Sequence, residues 1–222
     1  MFPWTKKKSL PEFWMNYANH FRTKKKLHLQ TTRFVIFDTE TTGLHIKNDR
    51  ILSIGAIGAT SQTMNIGDTL ELYVKQDVYN PKTAEIHGIL KEGSMTRVEE
   101  KQAIVFFLEF IKGAILVAHH AAFDISMINT CLKRLSLPKL KNKVLDTGDL
   151  FKKTTICPDK NKHYSLDELS AIFNIKKQDR HTAAGDAYIT GILFLKIVSH
   201  LIQKRHFFIK DLFFRSNRKG LL

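Results

Sequence analysis

The chain has 222 residues, of which 43% are hydrophobic and 25% are charged, and its formal net charge at pH 7 is +14. This length suits one sizeable α/β core with short appendages, and no apolar run approaches the length of a membrane span. The composition therefore favours a soluble globular protein and argues against an integral membrane protein.

The basic N-terminal stretch is not followed by a continuous apolar segment or a small-residue cleavage site, so we expect no signal peptide. Cys131 and Cys157 are isolated and have no CxxC partner. They predict neither a zinc site nor a disulfide framework, and they fit a reducing cytoplasm.

The positive charge is concentrated at the two ends of the chain. Residues 1–33 hold eight Lys and Arg against one acid, and residues 200–222 hold six against one. The middle of the chain is close to neutral. Basic ends indicate contact with a phosphate backbone, which depends on salt and carries little sequence information. A solubilising tail and a surface for an acidic partner protein are the alternatives.

Residues 1–32 predict a helical extension that begins near Ser9–Glu12. Aromatic side chains then recur at helical spacing, at Phe13, Trp14, Tyr17 and Phe21. A basic helix with an aromatic stripe can bind nucleic acid, a membrane surface or a partner. We favour docking on the chain's own domain, because aromatic side chains bury large areas.

The first strand of the predicted core covers residues 33–39, and its apolar run leads straight into Asp38. Such a run indicates a central strand that is buried on both faces. Side chains alternate along a strand, so Asp38 and Glu40 point the same way and Thr39 points opposite. Two neighbouring carboxylates repel each other, and a bound Mg²⁺ or Mn²⁺ removes that conflict. The alternative is a strand end whose acids simply face water.

Two more strands are predicted over Arg50–Thr60 and Thr69–Lys75, with a turn at Asn65–Asp68 between them and a connector at Pro81–Gly88. The elements after the connector alternate: a helix over 96–112 capped by Ser94, a strand over Ala114–Ala118, a helix over Phe123–Leu135, a strand at Val144 and Leu145 that ends at Asp146, a capping-box helix from Ser165 to Phe173, and a long helix over Ala183–Lys204. This order predicts an α/β fold: a mixed sheet with three antiparallel leading strands and helices packed on it.

Two further acids stand near the starts of predicted helices. Asp124 follows a buried strand, where an N-cap is the simplest role for an Asp. Asp186 lies among small residues, which permit the close approach of a substrate or of another element. A helix-start acid that favours the helix dipole is the alternative. His181 stands five residues before Asp186 and is expected in the preceding loop.

Together these segments match a specific pattern. Asp38–Leu44 has the form Asp-x-Glu-Thr-Thr-Gly-Leu, Ala118–Asp124 places an acid after small residues and Phe, and His181 with Asp186 forms His-x4-Asp. Over residues 33–200 the chain resembles the DEDDh (DnaQ-like) 3′→5′ exonuclease family, and within it the epsilon proofreading subunits of bacterial DNA polymerase III. One departure is His120, which stands where the family often has Asn and which puts a loop contact in doubt.

The resemblance implies a ribonuclease H-like fold and a two-metal hydrolysis. Asp38, Glu40, Asp124 and Asp186 would hold two Mg²⁺ or Mn²⁺ ions, typically about 3.5–4 Å apart, and His181 would be the general base. The product would be a nucleoside 5′-monophosphate released from a DNA 3′ end, in proofreading or repair. An RNA exonuclease and a subunit that binds nucleic acid or a polymerase are the alternatives.

The family likeness also places the terminal nucleotide. The backbone at Thr41 and the side chain of Leu44 would meet the last sugar and base, with Phe123 and His87 as further substrate contacts. A core position is the alternative for Leu44 and Phe123, and a turn histidine is the alternative for His87. Asp146 is interpreted as structural, because no motif requires a fifth acid.

The predicted organisation has three parts: a basic, aromatic extension over residues 1–32, an exonuclease domain over 33–203 and a basic tail over 204–222. The expected partner is nucleic acid with a free 3′ end, as single-stranded or frayed DNA or as RNA. A DNA polymerase subunit is a second candidate partner, and no membrane partner is expected.

Overall fold

The fold is built on one mixed five-stranded sheet. The computed structural model describes residues 9–23, 26–91, 95–203 and 206–214. The strands are β1 (Phe34–Thr41), β2 (Ile51–Ala59), β3 (Met64–Tyr73), β4 (Ile115–Ala118) and β5 (Val144–Asp146). Their order is β3-β2-β1-β4-β5, in which β1 pairs antiparallel with β2 and parallel with β4. The predicted α/β fold with an antiparallel leading meander and a mixed sheet is confirmed.

Helices cover both faces of this sheet. They are α1 (Glu12–Asn19), α2 (Pro81–His87), α3 (Glu100–Ile111), α4 (Ala121–Arg134), α5 (Thr147–Phe151), α6 (Leu166–Ile172) and α7 (Ala183–Ile202). Side chains of α5, α6 and α7 form one apolar core with one face of the sheet, and side chains of α1, α3 and α4 form a second core with the other face.

The central strand β1 contributes alternate residues to the two cores. Phe34 and Ile36 lie in the core on the α7 side, whereas Val35 and Phe37 lie in the core on the α3 and α4 side. Because this alternation has a period of two, it determines which helices the residues at the end of the strand can meet. Asp38 and Glu40 continue the α7 face, and Thr39 continues the α4 face.

Two predicted boundaries are wrong. The segment Asn65–Asp68 belongs to β3 rather than to a turn, because its polar residues lie on an edge strand, where water can reach them. The predicted helix over 96–112 begins only at Glu100. Val98 instead pairs with the end of β3: its N–H donates to Tyr73 O at 2.9 Å. The predicted cap Ser94 lies outside the described residues.

Two short helices were not predicted. The segment Pro81–His87, expected as a connector, is α2, which has Asn80 as its N-cap and Pro81 in its first turn. Asp146 similarly caps α5 by accepting a hydrogen bond from the Asp149 N–H at 3.1 Å. Both caps follow established helix-start preferences, so the signals were present in the sequence, but neither helix has the length from which a periodic pattern can be recognised.

The aromatic helix α1 packs on the rest of the chain, as we favoured. Trp14 and Tyr17 are each 1% exposed and belong to the same core as α3 and α4. The Tyr17 hydroxyl also accepts a hydrogen bond from the Lys141 N–H at 2.8 Å. Basic clusters at residues 6–8 and 24–26 flank the helix in the sequence, and all of their lysines except Lys26 lie outside the described residues.

Replacing Trp14 with Ala is expected to lower the free energy of unfolding by about 3 kcal/mol or more, because it removes a large, fully buried side chain. Urea unfolding followed by circular dichroism measures this loss. Phe106→Ala is the matched control, since Phe106 is an aromatic residue of α3 that is 43% exposed. Equal losses in the two variants would mean that α1 is not part of the folded core.

Part of the predicted C-terminal tail is also packed. Ile209 and Leu212 lie in a 3₁₀ helix, Ile209–Leu212, and both are buried in the core on the α7 side. The Lys153 ammonium donates to the carbonyl oxygens of Asp211 and Leu212, at 3.2 and 2.6 Å. Of the six Lys and Arg residues in the predicted tail over 204–222, Lys210 is described, and those at 204–205 and 215–219 lie outside the described residues.

The helix α7 has the length and composition of a membrane span, so the prediction that no apolar run approaches that length is wrong. More than half of it is buried inside the protein, where it packs against β1 and β2. The core helix of a globular domain has the same composition, and burial against the sheet accounts for its apolar character.

Candidate active site

Three carboxylates converge where β1 meets the start of α7. One oxygen each of Asp38, Glu40 and Asp186 lies within 4.8 Å of the others. Asp38 and Glu40 come from alternate positions of β1, and Asp186 comes from the first turn of α7. The predicted common orientation of Asp38 and Glu40 is therefore present, and it points towards the helix that carries Asp186.

Small residues allow α7 to come this close to the sheet. Gly55 of β2 stands opposite Asp38 in the strand register, and a side chain on Gly55 would overlap the backbone of Ala183 and Ala184. A glycine inside a strand often marks such an approach of another backbone. Gly55 therefore helps to position Asp186, a role that sequence reasoning missed although the glycine itself was visible.

Asp124 approaches from the opposite face of the sheet. It lies in the first turn of α4, is 3% exposed, and its Oδ1 accepts hydrogen bonds from the Thr39 N–H at 3.1 Å and from the Thr39 hydroxyl at 2.7 Å. Asp124 is a helix residue rather than the N-cap, which is His120. Its carboxylate is outside the set of three oxygens, yet it is near enough for its charge to raise the pKa of Asp38.

Burial and repulsion between neighbouring charges raise the pKa values of Asp38, Glu40 and Asp124. Burial, followed by the charges of Asp124, Asp186 and Glu40, raises the pKa of Asp38 well above its ordinary value. Burial and the same kind of repulsion raise the pKa of Glu40 to about 8. Burial raises the pKa of Asp124 to about 7 despite its hydrogen bonds from Thr39. Protons or cations must therefore offset the charge, and an all-oxygen donor set suits hard divalent cations such as Mg²⁺ and Mn²⁺.

An arginine that the sequence analysis did not identify lies beside the cluster. The Arg180 Nη1 pairs with Oδ1 of Asp186, while Nε and Nη2 bind the two carboxylate oxygens of Asp167 in α6, at 3.2 and 3.1 Å. No motif marks Arg180, because its role depends on how α6 and α7 are packed. Its position directly before His181 is the one signal that sequence offers.

His181 occupies the turn before α7, as expected for a loop residue. Its backbone is left-handed, with φ of 64°, and its N–H donates to Asp186 Oδ2 at 3.3 Å. The imidazole is exposed to solvent. His181 is thus tied through its backbone to one of the clustered acids, while its side chain is free to meet a substrate from outside.

The predicted substrate residues lie in different environments. Leu44 is 83% exposed, so a core role is wrong for it, whereas Phe123 is partly buried against the α3 and α4 core. Thr41 ends β1, and its hydroxyl donates to Gly43 O at 2.7 Å. His87 is 6% exposed and its Nδ1 accepts from the Ile89 N–H at 3.0 Å, so Nε2 carries the proton.

The helix α2 is tied to the turn that follows β1. The Asn80 side-chain amide donates to Thr42 O at 3.0 Å, and the Thr83 hydroxyl lies 3.4 Å from the same oxygen. These bonds attach the first turn of α2, the helix that ends at His87, to the segment that leads to Leu44. The connector that we predicted is therefore a helix that is hydrogen-bonded to the turn after β1.

Two neighbouring residues have structural contacts. The carboxylate of Asp146 accepts from the Ala121 N–H at 2.7 Å in addition to capping α5, which agrees with its structural interpretation. His120, the departure from the family pattern, has a left-handed backbone with φ of 57°. Asn, Asp and His are the residues other than Gly that adopt this conformation most readily, so His120 is compatible with this backbone.

We expect divalent-cation binding to strengthen as pH rises from 6 to 9. Cations bind the ionised carboxylates, and protons on Glu40 and Asp124, whose pKa values are raised to about 8 and about 7, must leave first. Affinity should rise about tenfold per pH unit for each proton displaced. Calorimetric titration of MnCl₂ or MgCl₂ in two buffers of different ionisation enthalpy measures affinity and proton release together. Affinity that does not change with pH would contradict the raised pKa values.

Whereas cation affinity should rise with pH, the free energy of unfolding of the metal-free protein should fall as pH rises. The folded-state pKa of Glu40 lies above its value of about 4.3 in an unfolded chain. Its protonated form therefore contributes stability that is fully present below about pH 4 and is lost as pH rises through about 8. Bound cations should remove most of this loss, which thermal unfolding with and without metal would reveal.

The mixed sheet and the carboxylate cluster are typical of nucleases, and comparison with known protein families gives the same class. The RNase_T exonuclease family matches residues 35–194, well over half of the chain. The chain therefore belongs to this exonuclease family, and it carries an exonuclease domain of the DnaQ-like type. Members of the family normally use divalent metal ions.

Relatives include both separate subunits and parts of larger polymerases. The chain is 32% identical to the DNA polymerase III epsilon subunit of Escherichia coli K12, covering 74% of this chain and 70% of that protein. It is 31% identical to the epsilon subunit of Treponema pallidum, covering 75% and 77%. It is 37% identical to the PolC-type DNA polymerase III of Caldanaerobacter subterraneus, but it spans only 12% of that protein's length.

Solved structures share the fold. Escherichia coli Exonuclease I in complex with a dT13 oligonucleotide superposes with a TM-score of 0.66 at 17% identity, covering 78% of this chain and 42% of that one. Exonuclease X in complex with 5′ overhanging duplex DNA superposes with a TM-score of 0.59 at 23% identity, covering 75% and 91%. These likenesses confirm the ribonuclease H-like architecture.

Proposed function

We propose that this protein is a metal-dependent 3′→5′ exonuclease that removes nucleoside 5′-monophosphates from DNA 3′ ends, in proofreading or repair. The observation that carries the proposal is the convergence of Asp38, Glu40 and Asp186, with Asp124 beside them, at the end of the central strand. A structural role for so many repelling acids is hard to justify, because their mutual repulsion destabilises the metal-free fold.

The four acids would hold two divalent cations, Mg²⁺ or Mn²⁺. Such ions, when bound, stabilise the charge on both the attacking and the leaving oxygen of an in-line displacement. Asp186 is already oriented by two hydrogen-bond donors, and Asp124 by Thr39, so little rearrangement is required of their carboxylates. Preorganised charges of this kind avoid a reorganisation cost during the reaction.

His181 would accept the proton of the attacking water. An imidazole has an ordinary pKa near neutrality, which suits a general base at physiological pH. Two observations support this role: His181 is exposed to solvent, and its backbone N–H donates to Asp186. The leaving 3′ oxygen would take up a proton, and the released product would carry the 5′ phosphate.

The terminal nucleotide would lie between the turn after β1 and the end of α2. The exposed Leu44 side chain offers an apolar surface to the base, and the Nε2–H of His87 offers a hydrogen-bond donor that has no partner within the described residues. Phe123 would contribute a second apolar contact. The backbone at Thr41 would meet the sugar.

DNA is the favoured substrate because the two solved structures named above are DNA complexes and the relatives named above are DNA polymerase III proteins. The same relatives support association with a DNA polymerase as a proposal for this chain.

The compartment we propose is the cytoplasm, because Cys131 and Cys157 are buried free thiols, which fit a reducing environment.

The test is a side-by-side digestion of 3′-labelled and 5′-labelled single-stranded DNA, a duplex with a mispaired 3′ end, and RNA of the same sequence. We expect mononucleotide release from the 3′ end of DNA with Mg²⁺ or Mn²⁺, and none after a chelator is added. Preferential digestion of RNA would establish the alternative substrate. Binding without metal-dependent release from any strand would contradict the nuclease proposal.

A further inference from the structure

Arg180 brings a positive charge into the carboxylate cluster. Its guanidinium pairs with Asp186 and its charge opposes the rise in the pKa of both Asp38 and Glu40. Its side chain is only 19% exposed, so water screens this charge weakly. In the metal-free protein, the guanidinium therefore neutralises part of the negative charge that a bound cation would otherwise offset.

The guanidinium is held from outside the site. Asp167, in the first turn of α6, accepts two hydrogen bonds from Arg180, and Lys177 also donates to it at 2.8 Å. A guanidinium is a rigid planar fork, so binding Asp167 on one side fixes the direction of Nη1 on the other. Arg180 cannot turn away from Asp186 without losing the bonds to Asp167.

The charges explain why this pairing matters for metal binding. The four acids of the site, when ionised, carry four negative charges, and two divalent cations would balance them completely. The fixed guanidinium adds one further positive charge beside Asp186. It therefore attracts the acids when the site holds no ions, and it repels cations that bind to the same carboxylates.

We propose that Arg180 is a resident counter-ion of the active site, which positions Asp186 and stabilises the metal-free protein while weakening the affinity for divalent cations. This inference rests on the proposed function, because it assumes that the cations bind at the acid cluster. It makes Arg180 a positioning residue that acts through Asp186.

The experiment compares thermal unfolding of the full chain with and without MnCl₂ in three variants and the wild type. Arg180→Gln removes the charge, and Arg180→Lys keeps it. Arg134→Gln is the matched control, because Arg134 makes a similar forked pair with Glu100 between α3 and α4, outside the cluster. Calorimetry supplies the Mn²⁺ affinity of each protein.

We expect the metal-free Arg180→Gln protein to melt below the wild type, and Mn²⁺ to raise its melting temperature by about 3 °C more than it raises that of the wild type. The Mn²⁺ affinity of Arg180→Gln should be about tenfold tighter. Arg180→Lys keeps the charge but cannot bind Asp167 and Asp186 through a planar fork, so its Mn²⁺-induced rise should lie between those of the wild type and Arg180→Gln. Arg134→Gln should melt lower by the same amount with and without Mn²⁺.

An equal Mn²⁺-induced rise in Arg180→Gln and wild type would overturn the inference and leave the proposed function intact. No Mn²⁺-induced rise in the wild type would instead defeat the proposed metal site, and the inference with it. If Arg180→Gln does not fold, the double variant Asp167→Asn/Arg180→Gln also neutralises the carboxylate that loses its two hydrogen bonds from Arg180. The same enlarged rise is then expected, and its absence would overturn the inference.

Discussion

Replacing Asp38 with Asn is expected to abolish cleavage while making the metal-free protein more stable at neutral pH. The side chain keeps its size but loses a charge that burial and three acidic neighbours disfavour. A lost metal ligand should lower kcat/KM by about a thousandfold or more, which corresponds to about 4 kcal/mol of transition-state stabilisation. The melting temperature without metal should rise by a few degrees, since about 1 kcal/mol corresponds to about 2–4 °C in a chain of this size.

The matched control is Asp77→Asn, which makes the same chemical change at an exposed carboxylate outside the cluster. Its activity and melting temperature should stay close to those of the wild type. Measuring digestion and thermal unfolding on the same preparations separates loss of catalysis from loss of folding. Cleavage by Asp38→Asn at a rate near that of the wild type would contradict the site.

Replacing Gly55 with Val is expected to displace α7 and to cost both stability and activity. The new side chain would overlap the backbone of Ala183 and Ala184, which cannot move without shifting Asp186. Overpacking of this kind costs about 1–3 kcal/mol, and a displacement of about 1 Å at a reacting group can cost about a hundredfold in rate. Thermal unfolding and digestion of single-stranded DNA measure the two effects.

Gly67→Ala is the control for the Gly55 variant, because a side chain on Gly67 of β3 would make only an ordinary contact, 3.4 Å from Asn65. A Gly55→Val protein that folds should also bind Mn²⁺ more weakly, since one of its acids has moved. Full activity and unchanged Mn²⁺ affinity in Gly55→Val would mean that α7 is not held against β2 in the way the structure describes.

Much of the site could be predicted from β1 alone. An apolar run that ends in Asp38 and Glu40 specifies a buried strand, and the alternation of side chains then places both acids on one face. The capping box at Ser165 likewise determined where α6 begins. These features depend on local sequence, in which period and capping chemistry are directly visible.

Other parts of the site depend on tertiary packing and could not be predicted. Asp124 lies on the face of the sheet that α4 covers, and its hydrogen bonds from Thr39 depend on where α4 packs. The forked pairing of Arg180 with Asp167 and Asp186 requires α6 and α7 to meet, which no periodic pattern encodes.

The predicted start of α3 is wrong for a different reason. Val98 fits the apolar helical pattern of the following residues, and this suggested a longer helix. In the structure its backbone pairs with the end of β3, a long-range contact that overrides the local pattern. Backbone hydrogen bonds to a sheet edge therefore decided where this helix begins.

The most direct test of the metal site is a crystal of the full chain grown with MnCl₂, measured at a wavelength where manganese scatters anomalously. We predict two anomalous peaks, both coordinated by carboxylate oxygens from the set Asp38, Glu40, Asp124 and Asp186, and neither peak in crystals of Asp38→Asn. An ordered wild-type crystal whose four carboxylates coordinate no manganese would contradict the account.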